Sequence, residues 1–136
     1  MTKVYLGIGT NLGDKERNIL KAYDLIEKKI GRIVRRSSIY RTEPWGFQSE
    51  NEFLNTVICV DTELTPQQLL AQTQQIERQM GRKQKSRGGE YHDRVIDIDI
   101  LLYGNLEVNE PNLVIPHPLM KEREFVMKPL GEIRNS

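Results

Sequence analysis

The sequence has little that could cross-link the chain or hold it in a membrane. Cys59 is the only cysteine, so no disulfide within the chain can form, and its place in the apolar run Val57–Val60 predicts a small buried side chain. No apolar stretch approaches the ~20 residues that a membrane-spanning helix needs, and the N-terminus shows no signal segment. These absences predict a cytoplasmic protein without a membrane partner.

An excess of charge of one sign is also missing. The 20 Lys and Arg residues nearly balance the 19 Asp and Glu residues, and the formal net charge is +1. We therefore expect no nucleic-acid partner, because such proteins usually present a strongly basic surface. Any phosphate site must come from local clustering of basic residues. With 136 residues, the chain is long enough to form a core of its own as one domain.

Short β-branched or apolar runs predict four strands. They cover Lys3–Gly9, Ile33–Arg41, Phe53–Thr62 and Val95–Tyr103. Between the second and third strands, the segment 42–52 contains Pro44, Gly46 and several polar residues, which predicts a long loop. The remainder of the chain is rich in proline, and we expect short elements there, packed on the edge of the sheet.

Helical spacing predicts two helices between these strands. The first has Asp14 as its N-cap, runs to about Lys29 and has Gly31 at its C-terminal cap position. The second begins at Thr65-Pro66 and is closed by Gly81. The order β-α-β-β-α-β predicts an α/β (α+β) protein, a ferredoxin-like sandwich with helices on one face of a mainly antiparallel sheet.

Asp97 and Asp99 are the most informative pair of residues. Positions two apart in a strand share a face and lie ~7 Å apart, so the two carboxylates are expected on the face opposite Ile96, Ile98 and Ile100. Neighbouring carboxylates repel each other, and a divalent cation shared with a polyphosphate relieves that repulsion. The alternative is a solvated strand face that carries two acids.

A basic, glycine-containing loop precedes the two aspartates. Its basic residues are Arg82, Lys83, Lys85, Arg87, His92 and Arg94, with Gly88-Gly89 among them. A basic loop beside an acidic strand suits a magnesium–polyphosphate complex. A merely solvated run of charge is the alternative.

Aromatic and amide side chains indicate a second candidate site, for a flat heterocycle. Phe53 and Asn55 share a strand face, and Phe125 could supply a second ring, so that two rings would stack on a heterocycle whose edge the amide reads. Each phenylalanine could equally belong to the core. Gln74 and Glu77 stand one turn apart on the second helix, where a solvated face is the alternative.

Taken together, these segments resemble the 6-hydroxymethyl-7,8-dihydropterin pyrophosphokinase family of folate biosynthesis over essentially the whole chain. The order and spacing of the segments carry the resemblance more than any one of them. They are Gly7-Ile8-Gly9-Thr10-Asn11-Leu12-Gly13, Ser38-Ile39-Tyr40-Arg41-Thr42-Glu43-Pro44, Phe53-Leu54-Asn55, Ile76-Glu77-Arg78-Gln79-Met80-Gly81-Arg82, Arg94-Val95-Ile96-Asp97-Ile98-Asp99-Ile100-Leu101, Ile115-Pro116-His117 and Arg123-Glu124-Phe125.

The resemblance implies a single pyrophosphokinase domain over residues 1–136 that acts on ATP and 6-hydroxymethyl-7,8-dihydropterin. It implies two magnesium ions held by Asp97 and Asp99, and we expect a monomer. Catalytic roles are implied for Arg82 and Arg94 together with the two aspartates. ATP contacts are implied for Gln74, Glu77, Ile100, His117 and Arg123, and pterin contacts for Thr42, Trp45, Phe53, Asn55 and Phe125.

Two other functions use related features. An RNA-binding or regulatory module can have the same layout, but it would show aromatic-rich ribonucleoprotein motifs on its central strands, and these are missing. Nucleotidyl transferases also use Asp-x-Asp with magnesium, but they place a Gly-Ser turn shortly before the aspartates. Here the glycine turn lies most of the chain away from Asp97.

Overall fold

A computed structural model describes residues 1–42, 52–81 and 95–134 of the chain. Its centre is an antiparallel sheet in the order β2-β4-β1-β5, with β3 paired to β4 next to β2. The strands are β1 (Thr2–Thr10), β2 (Gly31–Arg36), β3 (Tyr40–Thr42), β4 (Phe53–Thr62) and β5 (Asp97–Tyr103). A separate hairpin is formed by β6 (Val108–Glu110) and β7 (Leu113–Ile115). The order of the four long strands is that of the predicted ferredoxin-like sandwich.

Two helices, α1 (Lys15–Lys29) and α2 (Pro66–Gln79), cover the first face of the sheet. Both begin at the predicted caps. Asp14 accepts a hydrogen bond from the Arg17 amide at 3.2 Å, and Thr65 forms a capping box with Gln68. Their apolar stripes pack on the alternate positions of the strands that point to this side, and together they form the first-face core.

A third helix, α3 (Glu124–Arg134), packs on the second face. It follows a short 3-10 helix, Met120–Glu122. This arrangement differs from the expectation that helices cover only one face and that the C-terminal elements lie at the sheet edge. This helix was not predicted, because the prolines of the segment, including Pro129, argued against a helix. Its buried Val126, Leu130 and Ile133 nevertheless recur at helical spacing. They pack against Val57, Cys59, Leu101 and Leu102, and these residues with Met120 form the second-face cluster.

The single strand predicted over Ile33–Arg41 is wrong, because the chain forms β2 and β3 with a break between them. Ser37 causes the break. Its amide donates to the Val57 carbonyl at 2.9 Å, and its hydroxyl accepts from the Val57 amide at 3.0 Å, in place of the main-chain carbonyl that would continue the ladder. The pairing shifts from Arg36 opposite Ile58 to Tyr40 opposite Asn55, so one extra residue is accommodated.

Gly31 is not the C-terminal cap of α1, although its position after the helix predicted this. The C-cap is Ile30, and Gly31 opens β2. It is required there because an added Cβ would lie only 1.9 Å from the carbonyl oxygen of Asp61 on the neighbouring strand. Gly81, in contrast, has φ +109° directly after α2, as the predicted helix end requires.

The small buried side chain predicted for Cys59 is confirmed. Cys59 is buried, with 1% of its surface exposed, within the second-face cluster. Over the three ranges that the structure describes, no helix combines the length and the apolar character needed to cross a bilayer.

The contact between Gly31 and β4 predicts a large difference between two glycine substitutions. Gly31→Ala should lower the free energy of unfolding by about 2–4 kcal/mol, because backbone must move to relieve the clash with Asp61. Gly131→Ala is the matched control, since an added Cβ on this α3 residue meets nothing within 4 Å, and it should gain about 0.5–1 kcal/mol. Urea unfolding of both variants measures the difference. Equal stabilities would contradict the prediction.

Candidate functional site

The candidate site is built on a row of three residues that crosses three strands of the sheet. Gly9 of β1 pairs with Asn55 of β4 on one side and with Asp97 of β5 on the other. The next row on the same face pairs Gly7 with Val57 and with Asp99. Because paired residues share a face of a sheet, the amide and both carboxylates lie on the second face, on either side of glycines.

The two glycines form a floor without side chains between the amide and the carboxylates. An added Cβ on Gly9 would lie 3.0 Å from Asn55 Oδ1 and 3.8 Å from Phe53 Cδ1. Both side chains therefore lie over Gly9, which confirms that Phe53 and Asn55 share a face. On Gly7, an added Cβ would meet only the Leu101 side chain, at 3.5 Å. Neighbouring side chains thus occupy the space directly above both glycines, and a larger residue in place of Gly9 would press on Asn55.

Burial along β5 separates the acidic positions from the apolar ones. Asp97 and Asp99 are half-buried, whereas Ile98 and Ile100 are buried in the first-face core. This confirms the predicted division of the strand into an acidic and an apolar face. The two carboxylates lie at the boundary between the sheet and solvent, where they remain accessible to a cation and where water lowers the cost of their charge.

Glu77 holds α2 against the outer edge of β5. Its carboxylate accepts a hydrogen bond from the Ile98 amide at 2.8 Å, and only 7% of the residue is exposed. A solvated helix face is therefore wrong for Glu77, although Gln74, one turn earlier, is half-exposed. Ile100 points into the first-face core, so any contact that it makes with a ligand on the second face must come from its backbone.

One backbone hydrogen bond holds His117 next to β5, and a second orients its ring. Its amide donates to the Leu101 carbonyl at 3.1 Å, and its Nδ1 accepts from the Leu119 amide at 3.2 Å. Since Nδ1 accepts, the neutral ring carries its proton on Nε2. Burial lowers the pKa of His117 below 6.5, the charge of Arg123 lowers it further, and the carboxylate of Asp97 acts in the opposite direction.

Arg123 and Phe125 enter the site from the start of α3. The Arg123 guanidinium lies over the Phe125 ring, 5.6 Å from its centroid, within the range of a cation–π contact. Phe125 packs at the border of the second-face cluster and is only half-buried. Its ring therefore belongs to the same face of the sheet as Phe53, Asn55 and the two aspartates.

Several predicted site residues cannot be located. Trp45, Arg82 and Arg94 lie outside the described residues, and so does the basic loop before β5. For Thr42, the backbone pairing with Phe53 is defined. The remaining candidates form two groups, one on the second face and one, with Gln74 and Glu77, along the outer edge of β5.

Gly7 and Gly9 contribute to the site in a way that local sequence did not indicate. Both lie inside β1, as the strand predicted over Lys3–Gly9 requires, and the turn before α1 contains Gly13 with φ +70°. Asn18 holds this turn by donating to the Leu12 carbonyl at 2.8 Å. The only available signal was that glycine is unfavourable inside a strand unless something approaches the backbone closely.

Comparisons with known proteins agree on one family. The family model described as 7,8-dihydro-6-hydroxymethylpterin-pyrophosphokinase matches residues 5–135. The chain is 48% identical to the 2-amino-4-hydroxy-6-hydroxymethyldihydropteridine pyrophosphokinase of Porphyromonas gingivalis, covering 98% of this chain and 91% of that protein. It is 41% identical to the Aquifex aeolicus protein of the same name, covering 98% of this chain and 81% of that one.

Solved structures support the same fold. A crystal structure of Plasmodium falciparum HPPK-DHPS superimposes with a TM-score of 0.73 at 19% identity, over 98% of this chain. This chain spans 40% of that longer protein. At such low identity the similarity establishes the fold, namely three helices packed on an antiparallel sheet.

The surroundings of His117 predict its titration. In metal-free protein its pKa should lie below 6.5, so that the ring is neutral at pH 7. Because the folded pKa is depressed, the ring's contribution to stability is present above pH 6.5 and is lost as pH falls through the folded pKa. Proton NMR on His92→Gln, which leaves His117 as the single histidine, measures this directly. A value at or above 6.5 would mean that Asp97 outweighs burial.

Proposed function

The chain belongs to the 7,8-dihydro-6-hydroxymethylpterin-pyrophosphokinase family, and from this membership we propose that it transfers the pyrophosphoryl group of ATP to 6-hydroxymethyl-7,8-dihydropterin and releases AMP. This reaction serves folate biosynthesis. The observation that supports the proposal most directly is the row of Asn55, Gly9 and Asp97 across three strands. It brings the Asn55 amide and the Asp97 carboxylate onto one face of the sheet, with Asp99 two residues further along β5.

Asp97 and Asp99 fit a magnesium site for this reaction. Both are half-buried, carboxylate oxygens are hard ligands, and the neighbouring positions on β1 are glycines, which add no side chain of their own. Within the described ranges, no cluster of three or more His, Cys, Asp or Glu residues could hold a metal alone. We propose that the two aspartates hold two ions together with phosphate oxygens of ATP and water. When bound, magnesium neutralises phosphate charge and polarises the reacting phosphorus.

Phe53, Asn55 and Phe125 form the proposed pterin site. The two half-buried rings belong to the same face of the sheet, and the Asn55 amide lies over Gly9 next to Phe53. A planar heterocycle stacks well on aromatic rings, and an amide can both donate to and accept from its edge. We propose that Thr42 and Trp45 complete this site from the segment that precedes Phe53.

The nucleotide site is proposed next to it, around β5 and the start of α3. His117 would offer its Nε2 proton and Arg123 its guanidinium to phosphate oxygens, because His117 feels the charges of both Arg123 and Asp97. Gln74, Glu77 and the backbone of Ile100 lie along the outer edge of β5 and are proposed to contact the nucleotide there.

In the proposed reaction, the hydroxymethyl oxygen of the pterin attacks the β-phosphorus of ATP. A new oxygen–phosphorus bond forms, the bond from that phosphorus to the oxygen shared with the α-phosphate breaks, and AMP leaves with the electron pair while the hydroxyl proton passes to solvent. Ordinary kinases transfer the terminal phosphoryl group instead and release ADP. Arg82 and Arg94 are proposed to stabilise the developing charge. Most of the rate then comes from positioning and electrostatics.

Nucleotide products test this function. With ATP, magnesium and 6-hydroxymethyl-7,8-dihydropterin, AMP should appear only when the pterin is present. Asp97→Asn should lower that turnover by at least about 100-fold, because the neutral amide is a poor magnesium ligand. Asp61→Asn is the matched control, since Asp61 pairs with Lys3 at the far end of β4, away from Asn55. Pterin-dependent ADP, or full activity of Asp97→Asn, would refute the assignment.

Pterin affinity tests the aromatic site separately. Phe53→Ala should raise the Kd for the pterin about tenfold through loss of stacking, while the Kd for a non-hydrolysable ATP analogue stays unchanged. Pterin fluorescence in the presence of the analogue reports the first value, and calorimetry without pterin reports the second. Parallel losses for both ligands would indicate general damage instead of a pterin contact.

A further inference from the structure

The last turn of α3 is bound to the sheet edge formed by β2 and β3. The Glu132 carboxylate accepts hydrogen bonds from the Ser38 amide at 3.0 Å, from the Ser38 hydroxyl at 2.9 Å and from the Tyr40 hydroxyl. The next residue is held as well, because Arg35 Nη1 donates to the Ile133 carbonyl at 2.9 Å. Three donors thus converge on one carboxylate from a segment more than 90 residues away in sequence.

The two elements joined by Glu132 carry the two halves of the proposed pterin site. On one side, Tyr40 and Thr42 of β3 pair directly with Asn55 and Phe53 of β4. On the other side, α3 carries Phe125 in its first turn. The position of one ring relative to the other therefore depends on how α3 is seated against β3.

We propose that Glu132 is a positioning residue for pterin binding, which sets the spacing between Phe125 and Phe53 by fixing α3 to β3. This inference rests on the proposed function, since it takes the two rings as the walls of the pterin site. Glu132 itself does not contact the substrate in this proposal. It acts through Ser38 and Tyr40.

The protonation states of Glu132 and Tyr40 favour hydrogen bonds between them that persist at neutral pH. The hydrogen bond from Tyr40 lowers the pKa of Glu132 below 4.5, and the Ser38 amide and hydroxyl lower it further. The same bond to Glu132 raises the pKa of Tyr40 above 10.0. The carboxylate is therefore ionised and the phenol protonated across the neutral range, which makes all three bonds charge-assisted.

Attachment of α3 to the sheet does not require Glu132. The helix already buries Val126, Leu130 and Ile133 in the second-face cluster. Apolar packing is non-directional, so these side chains permit small shifts of the helix that directional hydrogen bonds resist. Loss of Glu132 should consequently affect the geometry at the pterin site more than the stability of the fold.

Ligand affinities of the folded protein test the proposal. Glu132→Ala should raise the pterin Kd about tenfold, with the ATP-analogue Kd unchanged, as expected for lost charge-assisted hydrogen bonds. Glu132→Gln, which keeps an acceptor for Ser38 and can donate to the Tyr40 oxygen, should recover most of the affinity.

Tyr40→Phe should weaken pterin binding in the wild-type background but add nothing to Glu132→Ala, because the two residues act as one unit. Glu63→Gln, an exposed carboxylate beyond the end of β4, is the matched control.

The outcomes separate this inference from the proposed function. If Phe53→Ala weakens pterin binding but Glu132→Ala and Tyr40→Phe bind pterin as the wild type does, the positioning role is overturned and the function stands. Additive effects of Tyr40→Phe and Glu132→Ala would also overturn it. If the wild-type protein binds no pterin, both the function and the positioning role fail.

Discussion

The register of β1 between β4 and β5 is the constraint on which the rest of the structure depends. Leu6 and Ile8 are buried in the first-face core, and a slip of one residue would turn them to the opposite face. The same register places Gly9 between Asn55 and Asp97. A requirement of hydrophobic packing on one side of the sheet therefore sets the spacing between the Asn55 amide and the Asp97 carboxylate on the other side.

The two faces of the sheet are covered unequally, and this difference creates the site. On the second face, the apolar positions end at Val57 and Leu101, and the positions that follow toward the same end of the sheet carry Asn55, Asp97 and Asp99. Burial of an apolar side chain stabilises by about 1.5–3 kcal/mol, whereas a buried and unpaired carboxylate is costly. Helix α3 therefore gains by covering the apolar half, whereas Asp97 and Asp99 keep part of their surface in solvent.

Local patterns predicted most of the fold and the acidic face of β5. The alternation of apolar and polar residues in a strand, the capping of a helix and the glycine after a helix all depend on a few neighbouring residues. The caps at Asp14 and Thr65 are examples. The break at Ser37 was missed because a serine hydroxyl replaces a backbone acceptor only once Val57 lies opposite. The true reason for Gly31, the Asp61 carbonyl, is likewise a contact across strands. Pairing partners that are distant in sequence leave no local signal.

Glu132 extends this argument from the fold to the site. In sequence it is one charged residue near the end of a helix, and the macrodipole disfavours a carboxylate there. Its position is explained only by the donors of Ser38 and Tyr40, which the break after β2 brings to the helix. The break at Ser37 therefore also affects α3. Because β2 ends before Ser37, Ser38 and Tyr40 can donate to Glu132 on the helix. Helix α3 is bound by apolar contacts and aligned by polar ones.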